Sequence, residues 1–168
     1  MIKYSDNFLT KTELESLQEI MPGLTYVLDM YTCDCPGALH NFQFTHNIVK
    51  NGKEVSPHFP LFKRLFLDKL GSTECQRMRI CVNASTHEVM ENGYHYDWYD
   101  SNENNLMNAA IYYLNTCDGY TAIKTKKGNI KKIESVENRI GIFPAHWAHT
   151  GTTTSNSMVR SILNIVYR

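Results

Sequence analysis

The stretch YHYDWYD, from Tyr94 to Asp100, sets His95 and Asp97 two residues apart among aromatic side chains. If the stretch is a strand, His95 and Asp97 point one way and Tyr96 the other. An imidazole and a carboxylate on one face supply two of the ligands a divalent metal needs. Alone the pair is a weak signal, since chance placement gives roughly 0.3 such pairs in a chain of this composition. It gains weight from FPAHWAHTG, which carries His146 and His149 near the end of a later strand. Either would complete two histidines and one carboxylate on three corners of a metal. That set leaves coordination positions open, as in non-haem Fe(II) sites that handle oxygen.

A third feature lies in VRSILNIVYR. Strand alternation puts Arg160 on the same face as Ile162, Asn164 and Val166. A guanidinium facing an interior is costly unless paired, and it favours a carboxylate held bidentately. No acidic residue flanks it on the neighbouring predicted strands. A bound small-molecule carboxylate would answer it.

These residues need a scaffold. Thr10 and Glu13 have capping-box spacing, and Leu14, Leu17 and Met21 form an apolar stripe that Pro22-Gly23 ends. SPHFPLFKRLFLDKLG reads as a second helix, with Leu61/Leu65 and Phe62/Phe66 four apart and Gly71 as its cap. The segment between the two carries no clear pattern. After Gly71 the period changes. RMRICVN, GYHYDWY, NAAIYYLN, YTAIKT, IKKIE, NRIGIFP and VRSILNIVYR read as short strands separated by turn residues. Short antiparallel strands after helices predict a mainly β, α+β chain: a jelly roll with two N-terminal helices on one outer face.

The 168 residues are expected to form one domain, with helical support over about 1–71 and the jelly-roll core over about 77–168. A formal net charge of zero and no basic stripe argue against nucleic acid as a partner. The N-terminus lacks the apolar core of a signal peptide, and no apolar run is long enough to span a bilayer, so a cytoplasmic location is expected. The 5 cysteines, including Cys33 and Cys35, read as unpaired thiols.

In this order the motifs resemble the Fe(II)/2-oxoglutarate-dependent oxygenases, in the prolyl-4-hydroxylase-like branch. HYD is similar to the family's H-x-D and AHTG to its distal-histidine motif. The resemblance therefore implies His95, Asp97 and His149 as metal ligands, with His146 on the rim. IYYLN resembles the strand in which a tyrosine touches 2-oxoglutarate, which selects Tyr113 over Tyr112 as the inward ring. Arg160 stands where the family pairs a cation with the far carboxylate of 2-oxoglutarate. DGYT, SVENR and HTGTT look closest to phage-encoded members, which would put the protein in a host cytoplasm. The resemblance is good from about Arg77 to the C-terminus. There are departures. Ile162 stands where many relatives have a serine sharing the carboxylate, and DGYT replaces the commoner D-G-G. Asn83 and Asn164 are candidate pocket residues. Trp98, Tyr99 and Trp147 are candidates for a substrate wall.

The implied cofactors are Fe(II), 2-oxoglutarate as cosubstrate and O2. The implied reaction hydroxylates a C–H bond and releases succinate and CO2. A prolyl residue of a peptide or protein is the expected substrate, with a small molecule or free amino acid as the alternative. One criterion separates them: a small free substrate needs a fixed counter-charge in the pocket, and the strands offer no second buried charge besides Arg160. The competing readings are a catalytically silent jelly-roll binding module and a zinc or manganese cupin-type enzyme; both leave Arg160 unexplained.

Overall fold

The computed structural model describes residues 1–32, 41–98 and 106–168. Thr10 caps helix α1 (Lys11–Ile20) in a reciprocal box: Thr10 N–H donates to Glu13 Oε2 at 2.8 Å, and Glu13 N–H donates to Thr10 Oγ1. The second helical segment is continuous but not uniform. It runs as α2 (Phe59–Phe62), a π turn (Lys63–Leu67) and α3 (Asp68–Leu70), and Gly71 closes it at φ +65°. The wide turn leaves Leu65, Phe66 and Leu67, three successive residues, all buried.

The large antiparallel sheet contains β1 (Lys3–Ser5), β2 (Val27–Asp29), β3 (Gln43–Lys50), the short β4 (Lys53–Glu54), β5 (Cys75–Ala84), β6 (Asn108–Tyr113), β9 (Ile140–Pro144) and β11 (Val159–Tyr167). Its order is β1-β9-β6-β11-β5-β3-β2, with β4 on β3. The small sheet holds β7 (Tyr120–Lys124), β8 (Ile130–Glu134) and β10 (His149–Gly151) in the order β10-β7-β8. This is a jelly roll with helices on one outer face, as expected.

Strand alternation splits the core in two. On the outer face, Tyr112, Met78, Ile80, Leu163 and Ile165 pack with Leu17, Phe62, Leu65 and Phe66 of the helices. On the inner face, Ala109, Ile111 and Tyr113 pack with Ile123, Ile133 and Phe143 between the sheets. Tyr113 therefore faces inward and Tyr112 outward, where its ring meets Phe66 edge-on at 4.9 Å.

Three expectations need correction. Gly93–Trp98 is not a strand. Its tie to a strand is an isolated bridge, His95 to His149, while the Asp97 and Trp98 N–H groups both donate to Ala145 O. One carbonyl serving two successive amides fits an irregular turn rather than a ladder. The patternless segment after α1 contains β3, an eight-residue strand central to the site. Finally, the HTG motif itself forms β10, too short to show a period. Cys33, Cys35, Tyr99 and the SNENN loop lie outside the described residues.

Candidate metal and cosubstrate site

β10 and the irregular Gly93–Trp98 segment meet through paired bonds: His95 N–H donates to His149 O and His149 N–H to His95 O, each at 2.9 Å. This brings His95, Asp97 and His149 together, with one ligand atom from each within 4.8 Å of the others. His149 Nδ1 donates to Trp147 O at 3.0 Å, and His95 Nδ1 lies 3.3 Å from Gly93 O. Because a carbonyl only accepts, both rings carry the proton on Nδ1 and turn Nε2 toward Asp97. Backbone-fixed tautomers of this kind are what metal-ligating histidines need. His149 Nε2 is 3.4 Å from Asp97 Oδ2, and His95 Nε2 is 3.7 Å from Oδ1. His146 is not among the three; its half-buried ring has an unpartnered Nδ1.

Asp97 is the electrostatic centre of the site. Burial opposes its charge, but Arg77 first and then His149 outweigh burial and hold the carboxyl well below the usual range. Arg77 donates to Oδ1, and Asn164 Nδ2 donates to Oδ2 at 2.8 Å. Arg77 also donates to Asn164 Oδ1 at 3.1 and 3.2 Å, closing a ring of three side chains. Burial likewise opposes a charged His149, yet Asp97 raises its pKa.

Arg160 is 1% exposed. Its Nε donates to Ser135 Oγ and one terminal nitrogen to Thr121 Oγ1, both at 2.9 Å; the other is 3.5 Å from Thr152 O. Among the described residues no carboxylate pairs with it, and burial lowers its pKa. Tyr113 OH donates to Thr121 Oγ1 at 2.9 Å or Ile133 O at 3.1 Å, and its ring centroid lies 5.7 Å from the guanidinium carbon. The departure DGYT keeps the glycine that matters. A Cβ on Gly119 would lie 2.5 Å from Arg160 Cδ and 2.7 Å from Thr153 O. Asp118 fixes the neighbouring turn by accepting from Thr154 Oγ1 at 2.7 Å and Ser155 N–H at 2.9 Å.

His95, Asp97, His149, Arg160, Asn83, Thr121 and Asn164 line one pocket. Asn83 is buried opposite Arg160 in register and donates to Phe42 O at 3.4 Å. Asn164 is spent on Asp97 and Arg77. Trp98 and Trp147 pack against the inter-sheet core with unpartnered, buried indole N–H groups, and Tyr96 is exposed.

Among the described residues Arg160 is the one arginine, lysine or acidic residue buried as a whole, but two partly exposed arginines share its face, Arg77 with 27% and Arg79 with 21% of the side chain exposed. Arg77 and Arg79 have the same parity as Cys81 and Asn83 along β5, so all four share the inner face, and Arg79 lines the pocket itself. Parity with Asn83 was the signal that could have found them. Thr121 and Ser135, the hydroxyls around Arg160, carried no sequence signal.

The donors suit the groups the motifs imply. Two imidazoles and a carboxylate fit a divalent iron with open positions, and a buried guanidinium ringed by hydroxyls fits a dicarboxylate. No family model and no curated protein matches the sequence. Solved structures do match. An oxidoreductase of the 2OG-Fe(II) oxygenase family from Burkholderia pseudomallei aligns with TM-score 0.75 at 14% identity, covering 99% of this chain and 84% of that one. A prolyl hydroxylase from Trichoplax adhaerens, solved with a hypoxia inducible factor peptide fragment, aligns at 0.69 and 12%, covering 99% and 82%. HygX from Streptomyces hygroscopicus, solved with nickel, 2-oxoglutarate and hygromycin B, aligns at 0.60 and 12%, covering 99% and 82%. The chain thus has the fold of the solved 2-oxoglutarate/Fe(II) oxygenases, at a sequence identity that carries the fold alone.

Proposed function

We propose that this protein is an Fe(II)- and 2-oxoglutarate-dependent dioxygenase that hydroxylates a C–H bond. The observation that carries the reading is the buried, carboxylate-free Arg160 in the same pocket as His95, Asp97 and His149. A silent module has no use for such a charge. A zinc or manganese cupin-type site would use the triad but leave Arg160 unexplained.

In this reading His95, Asp97 and His149 hold the iron. Arg160 binds the far carboxylate of 2-oxoglutarate, in a cradle of Thr121, Ser135 and Tyr113. When bound, iron and cosubstrate supply the oxidation with O2, releasing succinate and CO2. The protein supplies position and charge: Arg77 and Asn164 orient Asp97, and the inter-sheet core around Tyr113 and Phe143 keeps water from the base of the pocket.

The branch-level reading is prolyl-4-hydroxylase-like, with a peptide or protein proline as substrate; a solved peptide-bound prolyl hydroxylase of the same fold supports it. The small-molecule alternative is favoured by one specific observation, the inner-face Arg79. The phage-like affinity rests on DGYT, SVENR and HTGTT alone. The test is anaerobic titration with Fe(II) and 2-oxoglutarate. The weak visible charge-transfer band of the chelate should appear in the wild type and be absent in His149→Ala. No band, or one that survives His149→Ala, would overturn the assignment.

A further inference from the structure

The pocket contains a second cluster of donors that the iron and 2-oxoglutarate do not use. Arg79 stands beside Asn164 in register, but its side chain reaches along the sheet toward Asp29, with Nη1 3.8 Å from Asp29 Oδ2. That separation is too long for a hydrogen bond, and Asp29 is 39% exposed, so the ion pair is weak. The buried Nε of Arg79 has no partner. The register partner of Arg79 on β3 is Asn47, and Asp29 is in register with Gln43, so the guanidinium reaches along β3 in the direction of Gln43. Gln43 is 3% exposed, and its amide nitrogen also has no partner. Both side chains line the pocket that holds the triad and Arg160.

Two unsatisfied N–H donors at nearby buried positions are costly by themselves, and an acceptor-rich ligand removes the cost. They cannot be a second grip on 2-oxoglutarate, whose far carboxylate has Arg160. They lie on the β3–β5 side of the pocket, whereas the hydroxyls that surround Arg160 come from Thr121 on β7 and from Ser135. One guanidinium plus one neutral amide carries a single positive charge, which suits a monoanionic carboxylate better than a phosphate dianion.

The geometry points to Arg79 and Gln43 as the subsite for a carboxylate on the primary substrate, which is then a small free acid of amino-acid type rather than an internal peptide residue. This rests on the oxygenase reading and deepens it. The fixed counter-charge that a small free substrate requires is present.

The test is anaerobic calorimetry on the full chain loaded with Fe(II) and 2-oxoglutarate. The probes are L-proline and L-prolinamide, then the other protein amino acids beside their amides, and an end-blocked proline-rich peptide. At least one free acid should bind, with its amide about 10-fold weaker or worse. Arg79→Gln should close that gap to within about 2-fold and Gln43→Leu should narrow it, while 2-oxoglutarate affinity stays near wild type in both. That retained affinity also reports that the variants fold. Equal binding of acid and amide, a gap that persists in Arg79→Gln, binding of the blocked peptide alone, or binding of no free acid would each overturn the subsite with the oxygenase reading intact. Failure of 2-oxoglutarate itself to bind would sink both.

Discussion

Arg77 and Asp97, twenty positions apart, form an ion pair at the centre of the site, and Asn164 takes the other oxygen of the same carboxylate. The Asp97 side chain is 1% exposed and that of Arg77 27%. Neither oxygen is left to rotate freely, so the carboxylate meets the two imidazoles in one orientation.

The two partners of Asp97 should fail in different ways. Asn164→Leu removes an orienting donor without changing charge, so divalent-metal affinity should fall about 10-fold. Arg77→Ala leaves a buried carboxylate without its cation. The metal-free protein should lose about 2 kcal/mol, less than a fully buried pair would cost because Arg77 is partly exposed. A divalent metal replaces the missing charge, so Mn(II) should raise the melting temperature of Arg77→Ala more than that of the wild type. Thermal melts with and without metal check both; equal metal-induced shifts would count against the charge argument.

His95, Asp97 and His149 should behave as one unit. Alanine at any of the three should abolish specific metal binding, because two ligands hold an open-sited ion poorly. His146→Ala should retain it. Metal titration of the four variants decides, and a His146→Ala protein that loses the metal while His149→Ala keeps it would reverse the assignment.

Arg160→Ala should weaken 2-oxoglutarate binding by about 2–4 kcal/mol while sparing the metal, and Arg160→Lys should recover part of it, keeping the charge but not the fork. Gly119→Ala should raise the requirement for 2-oxoglutarate through Arg160. Its Cβ would overlap Arg160 Cδ, and the Thr153 carbonyl behind it is backbone that cannot swing away. Equilibrium binding of 2-oxoglutarate measures both variants, and unchanged affinity in Gly119→Ala would mean the arginine has room to move.

The turn beside Gly119 should titrate in acid. Hydrogen bonds from Ser155 and Thr154 depress Asp118 to about 2. A depressed carboxylate stabilises the fold above its unfolded value, near about 3.9, and that contribution is lost as pH falls through the folded value. Asp118→Asn should therefore melt a few degrees below the wild type at pH 7, and the two should converge as the pH approaches about 2. A gap that stays constant across that window would show that the bonds do not depend on the charge.

Local chemistry was readable wherever the sequence carries its own period or cap. The Thr10–Glu13 box, the strands from Asn108 to Tyr113 and from Val159 to Tyr167, and the inward Arg160 all follow from spacing within a few residues. The order His95, Asp97, His149 along the chain was equally visible, and the structure brings these residues together. Everything that pairs across the sheets was set by how the strands assemble. Gly93–Trp98 has a strand's composition but takes an irregular path, because its amides are claimed by Ala145 and by the short β10 rather than by a regular neighbour. Arg77 finds Asp97, and Arg79 reaches toward Asp29, only because β5 lies between β11 and β3. Beside the buried Arg160 expected from sequence, the fold sets two partly exposed arginines on the inner face, each with a different partner. Strand parity places a side chain on a face, but the partner it meets there is set by strand order, which no local pattern encodes.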